Sequence, residues 1–169
     1  MNLFNEGIIL DDIDKRIVEF IQKEPTSTYT QIAKKVHRSQ PTVGIRIKKL
    51  EDAGILQFQA GLNSKNFNLY LAKVELQTSN TKLISNIIKT CPYMIHGYRV
   101  SGISNFIIII GSFSLNNIDK IVNYHFRSNP MIKNVKTEII TDIVNKFLIP
   151  INLKTGSCNC IKKSIEHKN

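Results

Sequence analysis

The stretch from Thr28 to Gly54, TYTQIAKKVHRSQPTVGIRIKKLEDAG, constrains this chain more than any other. It holds two short helical patterns separated by a tight polar break. Thr28 and Gln31 are spaced as a capping box, in which two side chains satisfy backbone N–H groups that a first helical turn leaves without acceptors. Ile32, Ala33 and Val36 follow at helical spacing. Ser39 is a good N-cap for the second helix, and Pro41 is tolerated because a first-turn N–H has no helical partner. Val43, Ile47 and Leu50 fall at i, i+4 and i+7 and form one apolar stripe. The other side carries Gln40, Thr42, Arg46 and Lys49, with Lys48 on its flank. A helix that is apolar on one side and polar and basic on the other suits the major groove of duplex DNA, so the segment reads as a helix-turn-helix.

The charge distribution agrees. The formal net charge of +10 makes polyanions natural partners. Residues 1–60 are nearly neutral, with nine Lys/Arg against eight Asp/Glu. Residues 61–150 hold ten against four, an excess that a lysine-rich solvated surface also explains, and residues 151–169 hold four against one. Within residues 31–50, however, there are six basic groups and no acid. That local segregation is what a phosphate-facing surface needs. Gln40, Thr42, Arg46 and Lys49 are the candidates for base edges and phosphates, since Arg suits guanine, Gln adenine and Thr either an edge or a phosphate. Lys34, Lys35, Arg38 and Lys48 are candidates for phosphates, with Ser39 at the turn and His37 nearby. Gly44 leaves two readings open, close approach to the DNA backbone or a neutral surface position, at a helix cost of about 1 kcal/mol against alanine.

A first helix is expected after Leu10, where Asp11 and Asp12 favour the positive end of the dipole and Ile13, Ile17, Phe20 and Ile21 share a face ending before Pro25. After Gly54, residues 55–60 suggest an extended linker strand and residues 61–68 a loop. The alternation of Tyr70, Ala72, Val74 and Leu76 predicts a strand. Asn80–Lys89 predicts a helix stopping at Cys91-Pro92, and Met94–Ser101 and Phe106–Gly111 predict strands. Ser114 opens a helix through Phe126, and Val135 to Ile143 alternate as a long last strand. The order β-α-β-β-α-β is the ferredoxin-like split unit, whose sheet has two helices on one face and leaves the other for a second subunit. The expected class is therefore α+β, a winged or three-helix helix-turn-helix domain plus a ferredoxin-like domain. Its expected divisions are 8–54 for DNA binding, 55–68 for the linker strand and loop, 69–151 for the βαββαβ assembly domain, and 152–169 for a basic, cysteine-containing tail.

Leu10-Asp11, then Gln31-Ile32-Ala33-Lys34-Lys35-Val36, then Arg46 through Leu56, with Gly102 and Pro130…Val135-Lys136-Thr137 further on, together resemble the leucine-responsive regulatory protein/AsnC family of transcription regulators. The resemblance spans roughly residues 8–151. It implies a homodimer formed through the sheets, assembly to higher oligomers, and binding to partly palindromic promoter DNA. It also implies a small-molecule effector site, for which Gly102, Ser104, Asn105 and Thr137 are the matching positions. Amino-acid-binding members often carry a Gly-Asp-aromatic-Asp turn. Here the turn is Gly102-Ile103-Ser104-Asn105, with no carboxylate to meet a ligand ammonium. The sirohaem decarboxylases resemble the same architecture, but the chain shows no clustered carboxylates or nucleophile–base pairing, so an enzyme is not expected.

Three cysteines do not make a disulfide framework. Cys158-Asn159-Cys160, with His167 beyond, could bind zinc or copper or act as a redox pair, which would make the protein a metal- or redox-responsive regulator. Two sulfurs do not close a zinc site, so further ligands would come from His167, Cys91 or another subunit. The plainer expectation is a disordered tail with incidental thiols, and ordinary roles for His96 and His125. The N-terminus lacks signal-peptide features, and the longest apolar run, Phe106–Ile110, is strand-sized. A cytoplasmic protein without a membrane partner is expected.

Overall fold

The computed structural model describes residues 10–63, 66, 68–144, 148–149 and 158–162. His167, residues 8–9 of the expected first domain, and residues 152–157 and 163–169 of the expected tail lie outside the described residues. The chain divides into two compact units, Met1–Gln59 and Ala60–Asn169.

The first unit contains three helices, α1 (Asp12–Lys23), α2 (Tyr29–Val36) and α3 (Gln40–Asp52). Each starts on a side-chain cap. The Asp11 carboxylate accepts from the Asp14 N–H at 2.8 Å while the Asp14 carboxylate accepts from the Asp11 N–H at 3.3 Å. Thr28 and Gln31 make the same reciprocal pair on α2. Ser39 accepts from the Thr42 N–H on α3. Ile17, Ile21, Ile32, Val36, Val43, Ile47 and Leu50 meet in one buried cluster, as their spacing requires. Burying each such side chain contributes about 1.5–3 kcal/mol.

The segment after α3 differs from expectation. Gly54 takes a positive φ of 68°, and the N–H groups of Ile55 and Leu56 both donate to the Leu50 carbonyl. These residues therefore close the helix instead of starting a strand, and Leu56 is buried against the three helices. Residues 56–60 form no strand; β1 is Leu62–Asn63, paired antiparallel with β6 (Leu148–Ile149).

The second unit contains β2 (Tyr70–Thr78), α4 (Thr81–Thr90), β3 (Met94–Arg99), β4 (Phe106–Ser112), α5 (Leu115–Val122) and β5 (Ile132–Ile140). Its antiparallel sheet runs β3-β4-β2-β5, the ferredoxin-like order. Ala72, Val74 and Leu76 of β2 and Phe106, Ile108 and Ile110 of β4 share a core with Ile84 of α4 and Ile118, Ile121 and Val122 of α5. The alternate residues Lys73, Glu75, Ile107 and Ile109 belong to the opposite sheet face. There Lys73 pairs with Glu75 at 2.9 Å and with Glu138 at 2.5 Å, and Lys136 pairs with Glu138 at 2.7 Å. Lys136 first, and then Lys73, hold the Glu138 carboxyl down to about 2.

Two further differences concern α5 and β5. Beyond Val122 the helix widens into a π-helical turn, Asn123–Arg127, which carries Tyr124, His125 and the buried Phe126. Strand β5 ends at Ile140 instead of Ile143 and bulges around Asn134, whose φ is 53°. Among the described residues, no helix is long and apolar enough to cross a membrane.

Candidate nucleic-acid interface

The turn between α2 and α3 is set by local hydrogen bonds. His37 ends α2 in the left-handed conformation, and the Arg38 N–H donates to the Ala33 carbonyl at 3.1 Å. Arg38 Nη1 donates back to the His37 carbonyl at 2.8 Å. The Ser39 and Thr42 hydroxyls lie 2.7 Å apart, so both side chains hold the start of α3. Gln40 projects from the first turn and is exposed.

Along α3, Lys48 and Lys49 are exposed, as are Lys34 and Lys35 on α2. None of the four makes an ion pair among the described residues. Ile45 is also exposed, at 72%, on the side of the helix opposite the buried Val43, Ile47 and Leu50. Sequence reasoning missed it because attention went to polar residues. Its position two residues from Val43 and Ile47, about 200° and 160° round the helix from them, was the available signal.

Arg46 is engaged within the first unit. Its Nη1 donates to Asp11 at 2.6 Å and to Asp14 at 2.7 Å, both at the start of α1. The side chain is 29% exposed, and that of Asp14 only 12%. The guanidinium thus ties α3 to α1, an engagement that the sequence reading of Arg46 did not include. An arginine at the border of the apolar stripe can satisfy acids on a neighbouring helix at close range, which a separate wheel for α3 does not display. The Asp14 N–H and then Arg46 hold the Asp11 carboxyl below its ordinary range, and the two carboxylates raise Arg46.

Gly44 lies beside the Tyr29 ring at the start of α2. A Cβ there would stand 3.5 Å from the Tyr29 ring, an ordinary contact, so the glycine faces α2.

The expected effector turn is also differently employed. Asn105 Oδ1 accepts from the Thr78 N–H at 3.0 Å, and its Nδ2 donates to the Thr78 carbonyl at 2.7 Å. The Asn105 side chain therefore clamps the end of β2. Gly102 and Ile103 are exposed and Ser104 is partly covered. Thr137 is paired across the sheet with Val74, and its buried hydroxyl has no hydrogen-bond partner among the described residues.

Residues 10–57 match the winged helix-turn-helix DNA-binding family model. An uncharacterised HTH-type transcriptional regulator of Pyrococcus abyssi is 31% identical over 105 residues, covering 60% of this chain and 71% of that protein. The HTH-type transcriptional regulator LrpC of Bacillus subtilis is 24% identical over 141 residues, 81% of this chain and 96% of LrpC. The solved structure of B. subtilis LrpC superposes with a TM-score of 0.70 over 82% of this chain and 99% of that one, at 25% identity. The chain belongs to the leucine-responsive regulatory protein/AsnC family of transcription regulators. The structure of Escherichia coli AsnC has the same fold, with a TM-score of 0.71 over 85% of this chain and 99% of AsnC at 17% identity. Membership places this Lrp/AsnC protein among regulators with a helix-turn-helix DNA-binding domain and not among enzymes.

This regulator also brings together thiols that its sequence scatters. Cys158 and Cys160 stand with Cys91 and His125, and their four ligand atoms all lie within 4.8 Å of one another. The expected plain tail is therefore a correction for residues 158–162. These include α6 (Asn159–Lys162), and Cys160 is wholly buried in the core of the second unit. His125, expected to be ordinary, joins the cluster because the π-helical turn carries it there.

Proposed function

We propose that this Lrp/AsnC regulator recognises operator DNA by laying the outward face of α3 in the major groove, as a homodimer or higher oligomer in the cytoplasm. The observation that carries the reading is the pair of exposed basic side chains, Lys48 and Lys49, beside exposed Ile45 and Gln40. Lys34, Lys35, Arg38, Lys48 and Lys49 contact phosphates, which supply affinity and set the register. Gln40 meets an adenine edge and Ile45 a thymine methyl group, which supply specificity. Arg46 keeps α3 at a fixed angle to α1, and Ser39 and Thr42 fix its first turn. The partner subunit covers the sheet face away from the helices, where half-buried Ile107 and Ile109 accompany the Lys73–Glu138 ion pairs.

Regulation by an ordinary amino acid at the Gly102–Asn105 turn is not part of this reading. The turn offers no carboxylate, and Asn105 is already committed to Thr78.

Fluorescence anisotropy with labelled duplex from upstream of the protein's own gene tests the proposal. A Lys48→Ala, Lys49→Ala variant should lose affinity and show a shallower salt dependence. Undiminished binding, with an unchanged salt slope, would remove α3 from the interface.

A further inference from the structure

Four potential metal ligands from three separate segments converge in the second unit. Cys91 is the C-cap of α4, His125 lies in the π-helical turn after α5, and Cys158 and Cys160 flank the start of α6. Their ligand atoms are all within 4.8 Å of one another, and Cys158 Sγ is 3.5 Å from His125 Nε2. A tetrahedral zinc ion with Zn–S bonds of about 2.3 Å sets sulfur atoms about 3.8 Å apart, so closure requires shifts of about an ångström or less. We propose that Cys91, His125, Cys158 and Cys160 form a closed zinc site that fastens the C-terminal segment to the ferredoxin-like unit.

The surroundings fit a metal centre better than a set of idle thiols. The Tyr93 backbone N–H donates to the Cys91 sulfur, and the Cys160 backbone N–H to the Cys158 sulfur. In each case an N–H two residues onward points at the sulfur, the outer support that a metal-bound sulfur needs. Zinc binding displaces the protons of the three thiols.

His125 is braced as well. The Tyr124 ring stands edge-on to it with centroids 4.9 Å apart. On the outer side of the π-helical turn, Asp119 accepts from both Asn123 and Arg127 at 2.8 Å. The π-helical turn that ends α5 turns this imidazole toward three sulfurs.

Three thiolates and one imidazole select zinc over hard cations, which prefer oxygen. All four positions come from the protein, so no open position is left for a reacting water. The site is therefore structural. Cys160 is fully buried and Cys91 is 5% exposed, so release of the ion requires α6 to leave the core. Zinc and docking of residues 158–162 are consequently coupled. The inference does not depend on the DNA contacts proposed above.

The full-length protein, purified under reducing conditions and analysed by mass spectrometry for metal, should contain one zinc per chain. After removal of zinc, cobalt(II) should restore occupancy with the thiolate charge-transfer and tetrahedral ligand-field absorption of a site built from three sulfurs and one nitrogen. Cys158→Ser should weaken cobalt binding about a hundredfold or more, whereas His125→Cys should retain it with a stronger sulfur charge-transfer band. Cys158 is half-buried, so its replacement perturbs folding less than that of Cys160. Hydrogen exchange at residues 158–162 should rise when zinc is removed. Wild-type protein that neither contains zinc nor takes up cobalt overturns the proposal, as does copper or an iron–sulfur cluster in zinc's place. Unchanged cobalt affinity in Cys158→Ser also overturns it. Exchange at residues 158–162 that ignores zinc overturns the coupling to docking.

Discussion

Two cations three residues apart on one side of α3, an inner one against α1 and an outer one facing away, put the same sign of charge to different uses. On the flank toward α1, Arg46 is held by Asp11 and Asp14 at 2.6 and 2.7 Å. On the outward flank, three residues further along, Lys49 is exposed and makes no ion pair among the described residues. A cation within reach of partly buried carboxylates works for the fold, whereas one facing water remains available to a polyanion. Charge type alone does not distinguish the two. The neighbours that the fold supplies do.

The largest expected effect lies on the inner flank. Arg46→Ala leaves the 12%-exposed Asp14 carboxylate without its cation and should cost about 2 kcal/mol in urea unfolding. Lys49→Ala should change stability by less than about 0.5 kcal/mol. Equal losses in the two variants would erase the distinction between the flanks. In DNA binding the order reverses: Lys48→Ala, Lys49→Ala should weaken affinity about tenfold near physiological salt and lower the log–log salt slope by about 2.

Gly44→Ala sharpens the same division. The added methyl would meet the Tyr29 ring at 3.5 Å, so the variant should gain about 1 kcal/mol of stability and leave DNA affinity unchanged. A loss of DNA affinity would place Gly44 against the DNA after all. The smallest effect concerns acid. The folded-state pKa of Asp11 is depressed, so its contribution is complete above the unfolded value of 3.8 and is lost as pH falls through the lower folded value. Arg46→Ala should flatten that part of the stability–pH curve, measured by unfolding at a series of pH values below about 5.

Most of the first unit was legible because its determinants are local. First-turn acids at α1, a capping pair at α2, a serine N-cap at α3 and apolar stripes of helical period predict the three helices, and alternation predicts β2 and β5. The β-α-β-β-α-β order then implies the sheet order, because split βαβ units close in one way. Strand ends were less legible. Residues 55–56 look like strand, yet their N–H groups go to the Leu50 carbonyl. Thr141 and Ile143 continue the alternation of β5 but lie beyond its last paired residue, Ile140.

The sequence by itself determined the three helices, their caps, the buried stripes and the basic outward face, since each depends on residues within a turn or two of one another. Tertiary structure decided which of the polar groups are spent. It set Arg46 against acids 35 and 32 residues away and Asn105 against Thr78, 27 residues away. It also joined Cys91, His125, Cys158 and Cys160 into one cluster. Periodicity reports only the face on which a side chain lies. What that face meets depends on chain segments that local spacing does not encode.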